Sequence, residues 1–289
     1  MSGPTMVALG DSITSGVGDA VGPVAPHGPG WAAHLATLVG AAAFTNLARD
    51  GSRARTVVEE QLDDALALRA DVVTLVVGGN DALRSDFCPA EVARHLSRAV
   101  GELHARGAVV VLATLPPIGL FELFPGRVRR VMRARIAAVN AAVRMCAAAC
   151  AAVDRTALFD VAGSLQGIGA AAWHVDRVHP SALGHRYLAA GAYHRLAGGD
   201  LHGHVHRLPA PPPAPSVAAR TGWLAVAGVP WLMNRGRDFL PGLVRAVVDD
   251  LRRTAPAPAL LPPADLLSTA DLLSTSPQRD AAEAFIAGT

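Results

Sequence analysis

Cysteine, aromatic residues and net charge are all scarce in this chain. It has three cysteines in 289 residues, too few for a disulfide framework, and their spacing matches no zinc site. Aromatic residues make up 4% of the chain, and much of its apolar content is alanine, which favours closely packed helices over a β-rich fold. The formal net charge of +2 is too small to indicate nucleic-acid binding.

Long apolar stretches and an export signal are also missing. No apolar run reaches the length of a membrane-spanning helix. The first residues enter a strand pattern directly, without the basic and apolar regions of a signal peptide. We therefore expect a cytoplasmic protein with reduced cysteines.

Apolar runs and helical patterns alternate over the first part of the chain. Strand-like runs lie at 4–9, 41–48, 71–79, 108–116 and 156–161, with helical patterns between and after them. This alternation predicts a three-layer α/β/α domain over residues 1–199, with a mainly parallel five-stranded sheet. Loops that carry function are expected at the carboxyl ends of the strands.

The composition changes after Gly199. Residues 200–216 are rich in proline and histidine and are predicted to form an extended linker. Residues 217–254 have an amphipathic pattern that predicts a helical appendage, and the proline-rich residues 255–289 are expected to be loosely structured. The His202, His204 and His206 string has no carboxylate or thiolate nearby to complete a metal site, so we interpret it as solvated.

Residues suited to acyl transfer follow several of the predicted strands. Ser12 in GDS is a candidate nucleophile, and Asp176 with His179 in DRVHP offers a carboxylate and an imidazole three positions apart. Gly51 in NLARDG and Asn80 in GGND can supply hydrogen-bond donors to an oxyanion. Taken singly, each of these residues has an ordinary structural interpretation as a turn, cap or surface residue.

Together, GDSIT, NLARDG, GGND and DRVH resemble the four sequence blocks of the SGNH (GDSL) hydrolase family, in order and in rough spacing, over about residues 5–197. The resemblance implies a flavodoxin-like sheet and a serine esterase that needs no metal or other cofactor. It implies Ser12 as nucleophile, His179 as base and Asp176 as the residue that orients it. The Ser12 and Gly51 backbone N–H groups and the Asn80 amide would form the oxyanion hole. Ile13 stands where the family usually has leucine.

Substrate and partners are less closely specified. Leu120, Phe121, Leu123 and Phe124, with Trp31 opposite, are candidates for an acyl pocket, or for ordinary packing under a loop. Tryptophans and arginines in 217–253 are compatible with peripheral membrane contact, although packing on the main domain is favoured. The expected substrate is a small-molecule or lipid ester. An acyltransferase with the same triad, and a catalytically idle lipid- or partner-binding module, remain alternatives.

Overall fold

The computed structural model describes residues 3–19, 27–150, 155–214, 216, 218, 221–222, 226, 241–249 and 251–252. The chain divides into a compact unit, Met1–Asp250, and a second unit, Leu251–Thr289, of which residues 251 and 252 are described. The sheet, its covering helices and the candidate site all belong to the first unit.

A five-stranded parallel sheet forms the centre of this unit, as the sequence predicts. Its strands are β1 (Thr5–Gly10), β2 (Ala43–Asn46), β3 (Val72–Val76), β4 (Val109–Thr114) and β5 (Thr156–Asp160). They lie in the order β2-β1-β3-β4-β5, and each neighbouring pair is parallel. Strands β1, β3 and β4 are almost entirely buried because helices cover both faces, which is why they are nearly continuous apolar runs.

The helices form two layers around the sheet. They are α1 (Ser12–Ser15), α2 (Gly30–Val39), α3 (Ala54–Glu60), α4 (Leu62–Leu68), α5 (Gly79–Ala82), α6 (Pro89–Ala105), α7 (Gly126–Ala149), α8 (Val161–Ser164), α9 (Ala182–Ala197) and α10 (Leu201–His206). Short 3₁₀ helices lie at Phe121–Leu123 and Gly169–Ala172. Helix α2 packs on α9, while α6 packs on both α3 and α7. The predicted three-layer α/β fold is therefore confirmed.

The strand order determines where a site can form. From β1 the chain moves to one side of the sheet through α2, and from β2 it crosses back to β3 through α3 and α4. Right-handed crossovers place these connections on opposite faces. The loops after β1 and β3 therefore diverge, and a crevice opens at the carboxyl ends of these two strands.

Two local predictions are corrected. The sequence pattern predicts one helix at about 53–68, but the structure has two helices there, because the chain breaks at Gln61, whose backbone has φ of −124°. The predicted extended linker at 200–216 begins instead with helix α10. This helix forms because Asp200 caps it through Gly203 N and because its histidine rings pack on α9, with His204 against Tyr193.

A further helix, residues 241–249, packs on the main unit. Leu243 from this helix is 5% exposed and lies in a small apolar cluster with Phe121, Leu83, Val131 and Met132. This part of the predicted 217–254 appendage is thus helical and packs within the first unit; most of the remainder, and the 255–289 tail, lie outside the described residues. Among the described helices, none combines the length and apolar content needed to cross a membrane.

Candidate active site

Ser12 is the first residue of α1, two residues after the end of β1 at the carboxyl edge of the sheet. Gly10 ends β1 with φ of +149°, and a Cβ there would lie 2.3 Å from the Val76 carbonyl oxygen, so this close approach requires glycine. Asp11 caps α1, its Oδ1 accepting a hydrogen bond from Ile13 N at 3.1 Å. The chain therefore leaves the strand abruptly and places Ser12 at the wall of a cavity.

Asp176 and His179 form a closed turn after β5. Asp176 Oδ1 accepts hydrogen bonds from the backbone N–H groups of Val178 (2.9 Å) and His179 (3.0 Å), and its Oδ2 accepts one from His179 Nδ1 at 2.7 Å. An ionised carboxylate only accepts, so Nδ1 carries the proton and Nε2 is left as an acceptor. The Ser12 hydroxyl donates to this Nε2 at 2.8 Å. Serine, imidazole and carboxylate thus form one hydrogen-bonded chain.

His174 is a second histidine beside the same carboxylate. Its Nδ1 lies 3.3 Å from Asp176 Oδ2, whereas His179 is the histidine that contacts Ser12. Burial by itself would raise the pKa of Asp176, but its contacts with the His174 and His179 rings outweigh burial and hold the pKa well below the usual range. The carboxylate is therefore ionised at neutral pH and can stabilise an imidazolium.

Gly51 and Asn80 come from two other loops and line the cavity together with Ser12. Gly51 follows β2 in a turn where its φ is +78°, and Asn80 lies in the short helix α5 after β3. The Asn80 Nδ2 group donates to the Ser52 carbonyl oxygen at 3.1 Å and lies 3.4 Å from Asp11 Oδ2. The structure therefore brings all five sequence-predicted triad and oxyanion residues to one cavity.

Asp11 introduces a buried carboxyl beside these groups. Burial raises its pKa to about 6, although the Ile13 N–H and the nearby His179 act in the opposite direction.

The cavity has a volume of about 410 Å³, within the range of about 300–1,000 Å³ in which proteins enclose small organic ligands. Near β2 its lining includes the polar side chains His27 and Asp50, which are hydrogen-bonded to each other at 2.9 Å. Towards β3, β4 and β5 the lining is mainly apolar and comprises Val76, Leu83, Leu115, Ile118, Ile136, Val161, Leu165 and Trp173. Since β2 and β5 are the opposite edges of the sheet, the cavity has a polar end and an apolar end.

The predicted acyl-pocket residues do not line this cavity, and that expectation is corrected. Trp31 is fully buried and packs against Phe159, with ring centroids 5.6 Å apart. Phe121 and Phe124 belong to the small cluster that includes Leu243, and Leu123 is 64% exposed. The Leu120 backbone N–H donates a hydrogen bond to the Arg177 carbonyl oxygen at 2.9 Å. After Ile118 the segment turns away from the cavity, because Phe121 is buried against α7 and the 241–249 helix.

Sequence reasoning missed most of the apolar wall. Ile136 lies on α7, where its spacing marks a buried face but does not show that the face meets a cavity. Trp173 could have been found, since it lies three residues before Asp176. Leu165 directly follows α8, and no local signal marks it.

Buried polar residues support the loop that carries one side of the cavity. His185, fully buried in α9, accepts a hydrogen bond from Trp31 N at its Nδ1 (3.1 Å) and donates from its Nε2 to the Val17 carbonyl oxygen (2.9 Å). The Trp31 N–H requires the neutral ring, because a proton on Nδ1 would face it. Burial lowers the pKa of His185 to about 4.

This histidine predicts a pH-dependent stability. The unfolded chain binds the proton more tightly than the folded chain, so the contribution of His185 is complete above pH 6.5 and is lost as the pH falls towards 4. The loss is about 3 kcal/mol at 1.36 kcal/mol per pKa unit. We expect the difference in unfolding free energy between the wild type and His185→Asn to shrink by this order between pH 7 and pH 4, measured by urea unfolding.

His206→Asn is the matched control, because His206 is exposed. The difference in unfolding free energy between His206→Asn and the wild type should not change with pH. A His185→Asn difference that is equally constant would show that the ring titrates normally in the folded protein.

The remaining histidines of the predicted solvated string have protein partners. His202 Nδ1 lies 3.1 Å from the Tyr187 hydroxyl, and His204 Nε2 lies 2.8 Å from the Gly198 carbonyl oxygen. Within the part of the chain that the structure describes, no three histidine, cysteine or acidic side chains come together as a metal site would require.

Comparison with known proteins agrees with this fold. Residues 8–187 match the GDSL-like lipase/acylhydrolase family. Axe2, an acetylxylan esterase from Geobacillus stearothermophilus, is 25% identical with a TM-score of 0.51 over 69% of this chain and 96% of its own. LAE5, an α/β hydrolase enzyme from the metagenome of Lake Arreo in Spain, has the same fold, with 24% identity and a TM-score of 0.53 over 69% of this chain and 98% of its own. No curated protein matches the sequence significantly.

A three-layer α/β fold with a Ser–His–Asp hydrogen-bonded chain at the carboxyl ends of its strands is an arrangement found in serine hydrolases. The family match extends over more than half of the sequence. This chain belongs to the GDSL-like lipase/acylhydrolase family and is an SGNH-type carboxylic ester hydrolase, which confirms the resemblance seen in its sequence. Its substrates are small-molecule esters.

Proposed function

We propose that this enzyme hydrolyses esters through an acyl-enzyme on Ser12. The observation that supports this most directly is the 2.8 Å contact between Ser12 Oγ and His179 Nε2, with the opposite ring nitrogen held by Asp176 at 2.7 Å. Ser12 Oγ attacks the ester carbonyl carbon as its proton passes to His179 Nε2. The resulting imidazolium is stabilised by the Asp176 carboxylate.

The tetrahedral intermediate then collapses towards the acyl-enzyme. The leaving alkoxide takes the proton from His179 Nε2 and departs as an alcohol. Water, deprotonated by the same nitrogen, attacks the acyl carbon, and the carboxylic acid leaves as Ser12 recovers its proton. The Ser12 and Gly51 backbone N–H groups and Asn80 Nδ2 are proposed as donors to the oxyanion, since these residues line the cavity around the Ser12 hydroxyl.

The two ends of the cavity suggest how the ester lies. With its carbonyl carbon at Ser12, the acyl chain would extend among Leu115, Ile118 and Ile136, and the alcohol would lie towards His27 and Asp50. Burial of each methylene contributes about 0.8 kcal/mol. An apolar end of this kind favours an acyl chain longer than acetyl.

Initial rates on p-nitrophenyl esters from acetate to laurate test the proposal. We expect hydrolysis with an optimum between butyrate and decanoate, and a fluorophosphonate should label Ser12, as located by peptide mass spectrometry. Labelling at another serine would contradict the acyl-enzyme on Ser12. Acyl transfer to an added alcohol in preference to water would favour the acyltransferase alternative.

Ile136→Phe tests the assignment of the acyl pocket. The added ring would fill the apolar end, so we expect kcat/KM for the longest ester to fall about ten-fold while that for acetate changes little. Met145→Phe, on the same helix but 60% exposed in the wild type, is the control. An unchanged chain-length profile in Ile136→Phe would show that the chain lies elsewhere.

Two predictions concern properties outside this reaction. Peripheral membrane contact through residues 217–253 stays a prediction, and the burial of Leu243 supports the alternative of packing within the protein. The cytoplasmic location also stays a prediction from the sequence.

A further inference from the structure

Gln61 is a buried polar residue that the proposed mechanism does not use. It stands at the break between α3 and α4 and is 1% exposed. Its Oε1 accepts a hydrogen bond from Gly10 N at 2.9 Å, and its Nε2 donates to the Gly10 carbonyl oxygen at 3.0 Å. One planar amide therefore holds both backbone groups of the glycine that ends β1, two residues before Ser12.

The same amide also reaches the loop after β2. Gln61 Nε2 donates a second hydrogen bond to Ser52 Oγ at 3.0 Å, and Ser52 directly follows Gly51. The Ser52 carbonyl oxygen in turn accepts from Asn80 Nδ2 at 3.1 Å. Gln61 is thus connected to the loops that carry all three proposed oxyanion donors, Ser12, Gly51 and Asn80.

We propose that Gln61 is a positioning residue that sets the Ser12 loop and the Gly51 loop at the distance and orientation needed to bind the oxyanion. The inference rests on the proposed function of this site. Only an amide offers an acceptor and two donors in one plane at this position. The paired residues of β1 and β2 end at Ala8 and Asn46, and a further backbone hydrogen bond runs from Arg49 N to the Gly10 carbonyl oxygen at 3.2 Å. The side-chain bridge therefore continues the coupling beyond the end of that strand pair.

The chemistry of the replacement determines the expected effect. Gln61→Met removes the hydrogen-bonded bridge while keeping a similar side-chain volume. The oxyanion donors on the Gly51 loop can then shift relative to Ser12, and a misplacement of about 1 Å can lower the rate 10²-fold. In Gln61→Glu the ionised carboxylate faces the Gly10 carbonyl oxygen and cannot donate. The protonated carboxyl, in contrast, can donate to that oxygen and accept from Gly10 N, as the native amide does.

The experiment measures kcat and KM on p-nitrophenyl butyrate, together with the urea unfolding free energy. For Gln61→Met we expect kcat to fall between about 10-fold and 100-fold while KM stays within about three-fold, because the oxyanion is present in the transition state and the acyl wall is untouched. The rate of Ser12 phosphonylation by a fluorophosphonate should fall in parallel. For Gln61→Glu, the activity relative to the wild type at the same pH should rise as the pH is lowered, which a purely structural role would not produce.

Asn140→Met provides a matched control. Asn140 is a buried amide that clamps a backbone in the same manner, accepting from Leu115 N at 2.7 Å and donating to the Leu115 carbonyl oxygen at 2.8 Å, but it reaches neither oxyanion loop. We expect Asn140→Met to destabilise the fold about as much as Gln61→Met does, but to lower kcat less than about three-fold. If Gln61→Met does not fold, Ser52→Ala, which removes one acceptor of the bridge, should lower kcat in the same way with a smaller effect.

The outcomes separate the two levels of the proposal. If the wild type is active, two results overturn the positioning role alone. One is a kcat of Gln61→Met equal to that of Asn140→Met, and the other is a kcat of Ser52→Ala equal to that of the wild type. A constant relative activity of Gln61→Glu across pH does the same. A wild type that hydrolyses no ester, or that is matched by Ser12→Ala, overturns the proposed function and this inference with it.

Discussion

Replacement of Ser12 by alanine is expected to lower kcat/KM on p-nitrophenyl esters by 10³-fold or more. The variant removes the atom proposed to bond covalently to the acyl group. Among the described residues, Ser12 Oγ is the hydroxyl that lies at hydrogen-bond distance, 2.8 Å, from His179 Nε2. Ser12 is partly buried and its side chain fills little space, so the fold should be retained. Initial rates and the urea unfolding free energy measured side by side separate the two effects.

Ser15→Ala is the matched control for this experiment. Ser15 ends the same short helix, and its hydroxyl bonds to Asp50 and to the Ser12 carbonyl oxygen rather than to His179. Its kcat/KM should stay within about three-fold of the wild type, the range expected for loss of a partly exposed hydrogen bond. Equal activities of Ser12→Ala and the wild type would show that another group is the nucleophile.

Replacement of Asp176 by asparagine is expected to cost up to about 10⁴-fold in kcat, the loss seen when a triad carboxylate becomes an amide. The oxygen of the new amide can still accept hydrogen bonds from the Val178 and His179 backbone N–H groups, so the turn should persist. Its NH₂ group then faces His179 Nδ1, which must become an acceptor. The ring proton moves to Nε2, where it faces Ser12 and cannot take the serine proton.

The control for this variant is Asp160→Asn at the end of β5. Asp160 caps α8 through Gly163 N at 3.1 Å, and asparagine caps helices about as well as aspartate. It does not line the cavity. We expect its activity to stay near that of the wild type. An Asp176→Asn variant that retained more than about a tenth of wild-type kcat would show that the carboxylate is not needed to orient His179.

Much of the fold could be predicted from local patterns. The β-branched runs at 71–79 and 108–116 mark strands buried on both faces, and these became β3 and β4. The helix at 89–105 could be predicted to its ends because Pro89 occupies its first turn and its apolar residues recur at the helical period. The break at Gln61 could not be predicted, because this glutamine and the LDD after it include neither glycine nor proline, the residues that most often interrupt helices.

The candidate site divides in the same way. Asp176 and His179 are three residues apart, so their contact is a property of a local turn and could be proposed from the sequence. The polar contacts of Ser12 and Asn80 depend on partners far along the chain, and only their occurrence with the other motifs suggested that they meet. The candidates for the acyl pocket were chosen as neighbours in sequence, while the apolar residues that line the cavity come from β3, α7, α8 and several loops.

Local sequence patterns were enough to predict the order of strands and helices, the sharp turn at Ser12 and the Asp176–His179 pair. These depend on backbone preferences, apolar period and contacts within a few residues, which a single sequence displays. Packing in the folded protein, in contrast, determines which apolar side chains line the cavity and places Gln61 between the loops after β1 and β2. Both result from packing between elements distant in sequence, where a buried residue and a cavity-lining residue have the same local pattern.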